Sequence, residues 1–259
     1  MHEIQLASGH GMPVLGLGTW DLRGARCTEV VLRAIELGYT HIDTAWMYEN
    51  QEPIGRAVRQ CGVDRSELFI TSKIWHTHLG YDEVLKQFGE ILDQLQMDYV
   101  DLLLIHWPSK KSDPLQETLR AFEKISAAGK TRSIGVSNFD VELVEGARAS
   151  CQVPICVNQV EYYTHLAQRE LLQHCNRHEV VLTAYRPLGK GEILRDPVLR
   201  TVAQNHGKTT AQVALKWLLQ QGIIVIPKAS SEVHLRQNMG LFDWELEGAE
   251  MQQIGALSA

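Results

Sequence analysis

Short apolar runs alternate with longer amphipathic stretches along the whole chain. The runs are rich in Val, Ile and Leu, as is typical of strands buried on both faces. The stretches between them repeat apolar residues at helical spacing, as Val30, Val31, Ala34 and Ile35 do. The pattern predicts eight strands, at residues 14–18, 39–43, 68–73, 100–106, 133–137, 155–160, 180–185 and 223–226.

Eight strands that alternate with helices favour a parallel sheet covered by helices, and a closed (β/α)8 TIM barrel is the simplest such arrangement. A doubly wound sheet is the alternative, but its usual GxGxxG loop is missing, because the segment at Gly16 and Gly18 lacks a third glycine. Residues 2–9, followed by turn-forming residues up to Gly11, predict an N-terminal β-hairpin that closes the barrel floor. No linker divides the 259 residues, so we expect a single domain over 1–259.

Composition and charge exclude several classes of protein. Hydrophobic residues make up 44% of the chain, which is too many for a disordered protein. The net charge of -6 argues against a nucleic-acid partner, because such binding depends on Lys and Arg. No apolar run reaches the roughly 18 residues of a membrane span, and the N-terminus lacks the pattern of a signal peptide. Five cysteines without a CxxC pair favour free thiols and a cytoplasmic location, and no feature indicates an oligomer, so we expect a monomer.

Polar and aromatic residues follow nearly every predicted strand. In a (β/α)8 barrel the reactive groups lie at these C-terminal strand ends, where they converge on one pocket. Four of them form a plausible acid–base unit, namely Asp43, Tyr48, Lys73 and His106. A phenol with a pKa near 10 donates a proton poorly at neutral pH unless a cation stabilises its phenolate. We expect Lys73 to be this cation, Asp43 to orient it, and His106 to hydrogen-bond a substrate carbonyl or share in the proton transfer, without a metal.

The chain resembles the aldo-keto reductase family, in particular its bacterial 2,5-diketo-D-gluconic acid and methylglyoxal reductases. The segments that carry the resemblance run in family order from end to end: GLGTW (16–20), GYTHIDTAWMYENQEPIG (38–55), TSKIW (71–75), DLLLIHWP (101–108), GVSNF (135–139), VNQVEYY (157–163), TAYRPLG (183–189) and IPKASS (226–231). The resemblance implies a barrel that binds NADP(H) and reduces aldehydes or ketones, with a small dicarbonyl, keto-sugar or β-keto ester as substrate.

The resemblance also implies roles for individual residues. Asp43, Tyr48, Lys73 and His106 match the catalytic tetrad, in which Tyr48 is the proton donor. The residues that match cofactor contacts include Thr19, Trp20, Asp43, Ser137, Asn138, Gln159, Tyr185 and Leu188. Of these, Ser137, Asn138 and Gln159 match positions that hold the nicotinamide carboxamide, and Tyr185 matches the ring that stacks on the nicotinamide. The residues that match the walls of the substrate pocket are Trp20, Tyr48, Trp75, His106 and Trp107.

The segment 228–238 resembles the family's clamp for the adenosine 2′-phosphate, with two departures. Lys228, Ser230 and Asn238 lie at matching offsets. Ala229 replaces a frequent hydroxyl residue, and His234 stands where an arginine is usual. Histidine is a weaker phosphate ligand than arginine. We therefore expect NADP(H) to be favoured through Lys228, with measurable use of NAD(H). Arg186 is a further departure, and we expect it to reach the cofactor pyrophosphate.

Each of these residues also has a purely structural interpretation. Asp43 and Lys73 alone form a possible barrel-interior ion pair, His106 a possible core histidine, and Ser137 with Asn138 a possible helix N-cap. Two histidine pairs, His76 with His78 and His174 with His178, have the spacing of metal ligands, but neither has a carboxylate at a recognised spacing apart from Glu179, and we expect no metal. For the whole chain, the alternatives to a reductase are a cofactor-sensing regulatory protein and a metal-dependent barrel hydrolase.

Overall fold

The computed structural model describes residues 2–109 and 115–258. Within these residues, strands and helices alternate as the apolar pattern predicts. The strands are β1 (Glu3–Gln5), β2 (Gly11–Pro13), β3 (Gly16–Gly18), β4 (His41–Asp43), β5 (Phe69–Ile74), β6 (Val100–Ile105), β7 (Thr131–Ser137), β8 (Ile155–Glu161), β9 (Val181–Tyr185) and β10 (Ile224–Val225). The helices are α1 (Gly24–Glu36), α2 (Gln51–Gln60), α3 (Tyr81–Leu95), α4 (Leu115–Ala127), α5 (Val141–Ala149), α6 (Arg169–Arg177), α7 (Pro197–His206), α8 (Thr210–Leu219), α9 (Glu232–Met239) and α10 (Gly248–Gly255).

In the described residues, eight strands from β3 to β10 form one sheet in which each strand pairs in parallel with the next along the chain. The sheet closes on itself where Leu15 forms a parallel bridge with Val225. The amide of Gly18 also donates to the carbonyl of Pro227, at 3.1 Å. The predicted (β/α)8 barrel is therefore confirmed, and the doubly wound alternative is wrong.

Strand β6 illustrates how the barrel is packed. Leu102 and Leu104 belong to a cluster inside the barrel, whereas Leu103 and Ile105 pack with the apolar faces of the surrounding helices. Side chains alternate between the two faces of a strand, and helices cover the outer face, so both sets are buried. This is why the strands appear in the sequence as continuous apolar runs.

Strands β1 and β2 pair antiparallel as a separate hairpin, which confirms the predicted N-terminal element. Its second strand extends to Pro13, beyond the predicted residues 2–9, because the residues up to His10 form the turn. Leu6 and Met12 of the hairpin pack with Phe69 and Ile224 in the cluster inside the barrel. The hairpin thus covers one end of the barrel and leaves the other end for the site. No helix in the described residues is long and apolar enough to span a membrane.

Candidate active site

The C-terminal ends of the barrel strands surround one cavity of about 610 Å³. The predicted site residues that line it are Thr19, Trp20, Asp43, Tyr48, Trp75, His106, Trp107, Ser137, Asn138, Gln159, Tyr185, Arg186, Leu188 and Lys228. Trp20 and Trp107 are 46% and 39% exposed and form part of its rim. The volume lies within the usual range of about 300–1,000 Å³ for small-molecule and cofactor sites.

Lys73 is completely buried and makes three polar contacts beneath this cavity. Its Nζ donates to Asp43 Oδ1 at 2.6 Å and to the carbonyl oxygen of Thr44 at 2.9 Å, and lies 3.4 Å from the hydroxyl of Tyr48. An ammonium group has three N–H donors, so these contacts account for all of them. Asp43 Oδ2 accepts a further hydrogen bond from Gln159 Nε2 at 2.8 Å, so both carboxylate oxygens of Asp43 are hydrogen-bonded and its orientation toward Lys73 is fixed.

Tyr48 ends a short 3₁₀ turn, Trp46–Tyr48, that directs its hydroxyl toward Lys73. Its ring meets Trp20 edge-on at 4.9 Å and His106 at 5.5 Å between centroids. Burial, followed by the negative charge of Asp43, raises the pKa of Tyr48 well above its ordinary value of about 10. The charge of Arg186 opposes this rise in the pKa but does not reverse it. Tyr48 is a neutral phenol that retains its proton.

His106 is buried between Tyr48 and Trp75, whose ring lies 5.0 Å away, centroid to centroid. Burial and the charge of Lys73 lower the pKa of His106 to about 2, so the imidazole is neutral at ordinary pH. Its Nδ1 is buried without a hydrogen-bond partner among the described residues. A neutral imidazole has one N–H, so His106 can orient a ligand oxygen but does not supply a positive charge.

Four residues form a hydrogen-bonded network beside His106. Asn138 donates to the carbonyl oxygen of His106 at 2.9 Å and accepts from the hydroxyl of Tyr185 at 2.8 Å, while Ser137 donates to the carbonyl of Gln159 at 2.7 Å. Asn138 has a φ of 62°, a left-handed conformation that asparagine tolerates better than most residues. The N-cap interpretation of Ser137 and Asn138 is wrong, because Asp140 caps α5.

The sequence profile of the Aldo/keto reductase family matches residues 14–259. The chain belongs to the aldo/keto reductase family. It is 43% identical over 256 residues to a glyoxal reductase of Bacillus subtilis, with 98% of this chain and 92% of the relative covered. It is 38% identical to the methylglyoxal reductase DkgB of Yersinia pestis, with 95% and 93% covered. The crystal structure of a proposed 2,5-diketo-D-gluconic acid reductase B superposes with a TM-score of 0.96 at 37% identity, covering 100% of this chain and 92% of that one.

Part of the predicted phosphate clamp of this aldo/keto reductase lies outside the cavity. Ser230 and His234 are exposed near the start of α9, and the side chain of Ser231 caps this helix by accepting from the amide of His234. Asn238 is buried, and Lys228 is at the cavity edge, paired with Asp21 at 3.3 Å. The structure thus brings the four predicted catalytic residues and the predicted nicotinamide contacts together, and leaves Ser230, His234 and Asn238 outside the cavity lining.

Sequence reasoning missed two residues near the site of this aldo/keto reductase. Asn50 is completely buried, accepts from Thr44 Oγ1 at 2.6 Å and donates to the carbonyls of Thr19 and Leu22 at 2.9 and 3.0 Å. It ties the loop that carries Tyr48 to the loop after β3. Arg26 Nη2 donates to the carbonyl of Ser230 at 2.6 Å. Neither residue follows a strand, so the strand-end rule did not select them.

Proposed function

We propose that this aldo/keto reductase uses NADP(H), and less effectively NAD(H), to reduce an aldehyde or ketone, with Tyr48 as the proton donor. The proposal depends above all on the buried chain of contacts from Asp43 through Lys73 to the Tyr48 hydroxyl beneath the cavity. When bound, the nicotinamide cofactor supplies the hydride. The residues of this chain bind it, orient the carbonyl and provide the proton.

Proton donation by Tyr48 follows from the direction of its hydrogen bonds. Lys73 donates toward the Tyr48 oxygen, so the O–H of Tyr48 is free to donate to a carbonyl oxygen in the cavity. As this proton leaves, the developing phenolate lies 3.4 Å from a fixed ammonium group. A preoriented charge of this kind stabilises the transition state without reorganisation. Neutral His106 hydrogen-bonds the same carbonyl oxygen and fixes its position.

The residues of the cavity fit a nicotinamide cofactor. The wall formed by Ser137, Asn138 and Gln159 offers hydroxyl and amide groups, and the Tyr185 ring offers a flat face. Lys228 provides positive charge at the cavity edge, and Arg26, whose Nη2 donates to the carbonyl of Ser230, provides a second cation. We propose that these two cations bind the 2′-phosphate in place of the arginine that His234 replaces, and so favour NADP(H) over NAD(H).

Cofactor affinity tests this assignment independently of turnover. Lys228→Met and Arg26→Met should each weaken NADPH binding about tenfold, since a hydrogen bond to a charged group contributes about 1.5–3 kcal/mol, and leave NADH binding unchanged. Quenching of tryptophan fluorescence measures both constants. Arg120→Met, which removes a surface ion pair with Glu117, is the matched control. Equal weakening of NADPH and NADH would contradict a role for these side chains at the 2′-phosphate.

A small dicarbonyl is the substrate class that we propose. Two relatives are named for glyoxal and methylglyoxal reduction. The cavity has an aromatic wall formed by Trp20, Trp75 and Trp107. Among the described residues, the charged ones that line it are Asp43, Arg186, Lys190 and Lys228. A compact, uncharged carbonyl compound suits such a site. We further propose that residues 1–259 form one domain and that the protein is a monomer. The five free thiols support a cytoplasmic location.

The decisive experiment compares the wild type with Tyr48→Phe. Glyoxal, methylglyoxal, a keto-sugar and a β-keto ester are each added with NADPH, and cofactor oxidation is followed by absorbance. Tyr48→Phe should lose at least about 100-fold in kcat, a typical contribution of a positioned proton donor, and bind NADPH as the wild type does. If it retains most of the rate, the mechanism is wrong. If the wild type binds NADPH tightly and reduces no carbonyl, the chain is a cofactor-sensing protein instead.

A further inference from the structure

Three potential metal ligands meet on the outside of the barrel, away from the cavity. Glu145 lies on α5, and His174 and His178 lie at and just after the C-terminal end of α6. Their ligand atoms all lie within 4.8 Å of one another. The sequence offered the two histidines at helical spacing, with Glu179 as the neighbouring carboxylate. The packing of α5 against α6 brings a different carboxylate, Glu145, to both imidazoles.

The distances suit one small divalent ion. Glu145 Oε1 lies 3.0 Å from His174 Nε2 and 3.6 Å from His178 Nε2. Zinc binds imidazole nitrogen and carboxylate oxygen at about 2.0–2.2 Å, so two ligands at a tetrahedral angle lie about 3.4 Å apart. The two distances from Glu145 bracket this value. All three ligand atoms lie within 4.8 Å of one another, so side-chain rotation is needed to bring them within bonding distance of a common centre.

His174 is the buried ligand of this cluster, and His178 and Glu145 are more exposed. The side chain of His174 is 10% exposed, and that of His178 is 34% exposed. The rings lie 4.7 Å apart, centroid to centroid, at an interplanar angle of 51°. Because Glu145 is 46% exposed, the fourth coordination position is open to water. Three protein ligands and one water form a common zinc arrangement.

Arg148 is a competitor for the carboxylate. Its Nη1 lies 2.6 Å from Glu145 Oε1, the oxygen that also faces both histidines. A carboxylate has two oxygens, so Oε2 remains available to Arg148 while Oε1 binds a metal. The Arg148 charge nevertheless repels a cation, and its removal should strengthen metal binding. A hydrogen-bond network without a metal predicts no such effect.

We propose that Glu145, His174 and His178 bind one divalent transition-metal ion, Zn²⁺ being the best match to two imidazoles and a carboxylate. This proposal replaces the expectation that the chain binds no metal. The proposed ion lies between two outer helices and takes no part in the reaction at the cavity. The bound ion links α5 to α6. Because it binds the folded chain, it raises the thermal unfolding temperature. The proposal is independent of the proposed function.

The experiment uses the full chain, without an affinity tag, after treatment with a chelator. Calorimetric titration with Zn²⁺ should give one site per chain that raises the unfolding temperature. His178→Ala should weaken binding by more than tenfold, since even outer-shell changes cost 10- to 100-fold. Arg148→Met should strengthen it. His165→Ala is the matched control, because His165 also pairs with a carboxylate, that of Asp196 at 3.0 Å, but belongs to no cluster of three ligands in the described residues. The Zn²⁺ affinity of His165→Ala should equal that of the wild type.

Cobalt distinguishes this site from binding to the thiols. Co²⁺ at a His₂Glu site gives visible d–d bands without the thiolate charge-transfer band that cysteine ligation produces. Equal Zn²⁺ affinity for wild type and His178→Ala, a thiolate band, or the absence of binding overturns the proposal. Carbonyl reduction should be unchanged by the chelator, so loss of the metal site and loss of the reductase activity are separate outcomes.

Discussion

The Lys73→Met substitution would leave the carboxylate of Asp43 buried without its cation. Lys73 and Asp43 are 0% and 2% exposed, and their charged atoms are 2.6 Å apart. At an effective dielectric constant of 20, two unit charges at this distance attract by about 6 kcal/mol. The cost of burying both charges offsets much of this attraction, and removal of one partner from a buried pair typically costs about 3–5 kcal/mol. We expect Lys73→Met to lower the free energy of unfolding by that amount.

The double variant Lys73→Met/Asp43→Asn separates stability from chemistry. Replacing a buried ion pair with uncharged groups of similar size is often neutral, so the double variant should regain most of the stability. It should not regain activity, because a fixed donor at a developing negative charge contributes about 100- to 1000-fold in kcat.

Urea unfolding and the rate of NADPH oxidation measure the two quantities on the same samples. Recovery of activity in the double variant would mean that the pair serves the barrel interior and not the reaction. A stability of Lys73→Met equal to that of the wild type would mean that the pair contributes little to the fold.

Three further changes test other parts of the structure. Burial lowers the pKa of Lys73, so kcat/KM for reduction should fall as pH rises through this lowered value, below 10.5. Neutral His106, with a pKa of about 2, adds no acid limb, and a kcat/KM that stays constant up to pH 10.5 would contradict the role of Lys73. Asn50→Ala leaves the carbonyls of Thr19 and Leu22 without this donor and should lower the free energy of unfolding, measured in urea, by about 3 kcal/mol. A loss below about 1 kcal/mol would mean that Asn50 does not hold the two loops together. In Gly18→Ala the new Cβ would lie 2.5 Å from the carbonyl oxygen of Ile226, just after β10, and the free energy of unfolding should fall by about 2 kcal/mol. Gly89→Ala is the control, because its Cβ meets nothing within 4 Å, and equal stabilities of the two variants would refute the close approach.

The strands were predictable because both of their faces are buried. The predicted ends of β6 and β9 differ from the structure by one residue, and those of β7 by two. β10 is two residues long although 223–226 is apolar, since burial extends beyond its hydrogen-bonded pairing. The second strand of the hairpin was not predicted, because three residues are too few for a periodic pattern.

The cavity-lining part of the candidate site was predictable from strand ends, and the contacts near α9 were not. Asp43 and Gln159 end or nearly end their strands, so the barrel brings them together at 2.8 Å. Ser230 and His234 come from a loop and a helix that do not line the cavity, and the contact from Arg26 to the carbonyl of Ser230 is made by a residue distant in the sequence. Such contacts depend on how α1 packs beside α9, and a local pattern does not contain this information.

The sequence by itself determined the barrel, its strand order and the four residues beneath the cavity, because apolar periodicity and the position of polar residues at strand ends are local properties. The tertiary structure alone decided the charge states and the partners. The protonated state of Tyr48 depends on burial and on Asp43, five residues earlier in the chain but next to it in space. The meeting of Glu145 with His174 and His178 depends on the packing of two helices. Electrostatic energy is set by distance and by exclusion of water, and both are properties of the folded chain.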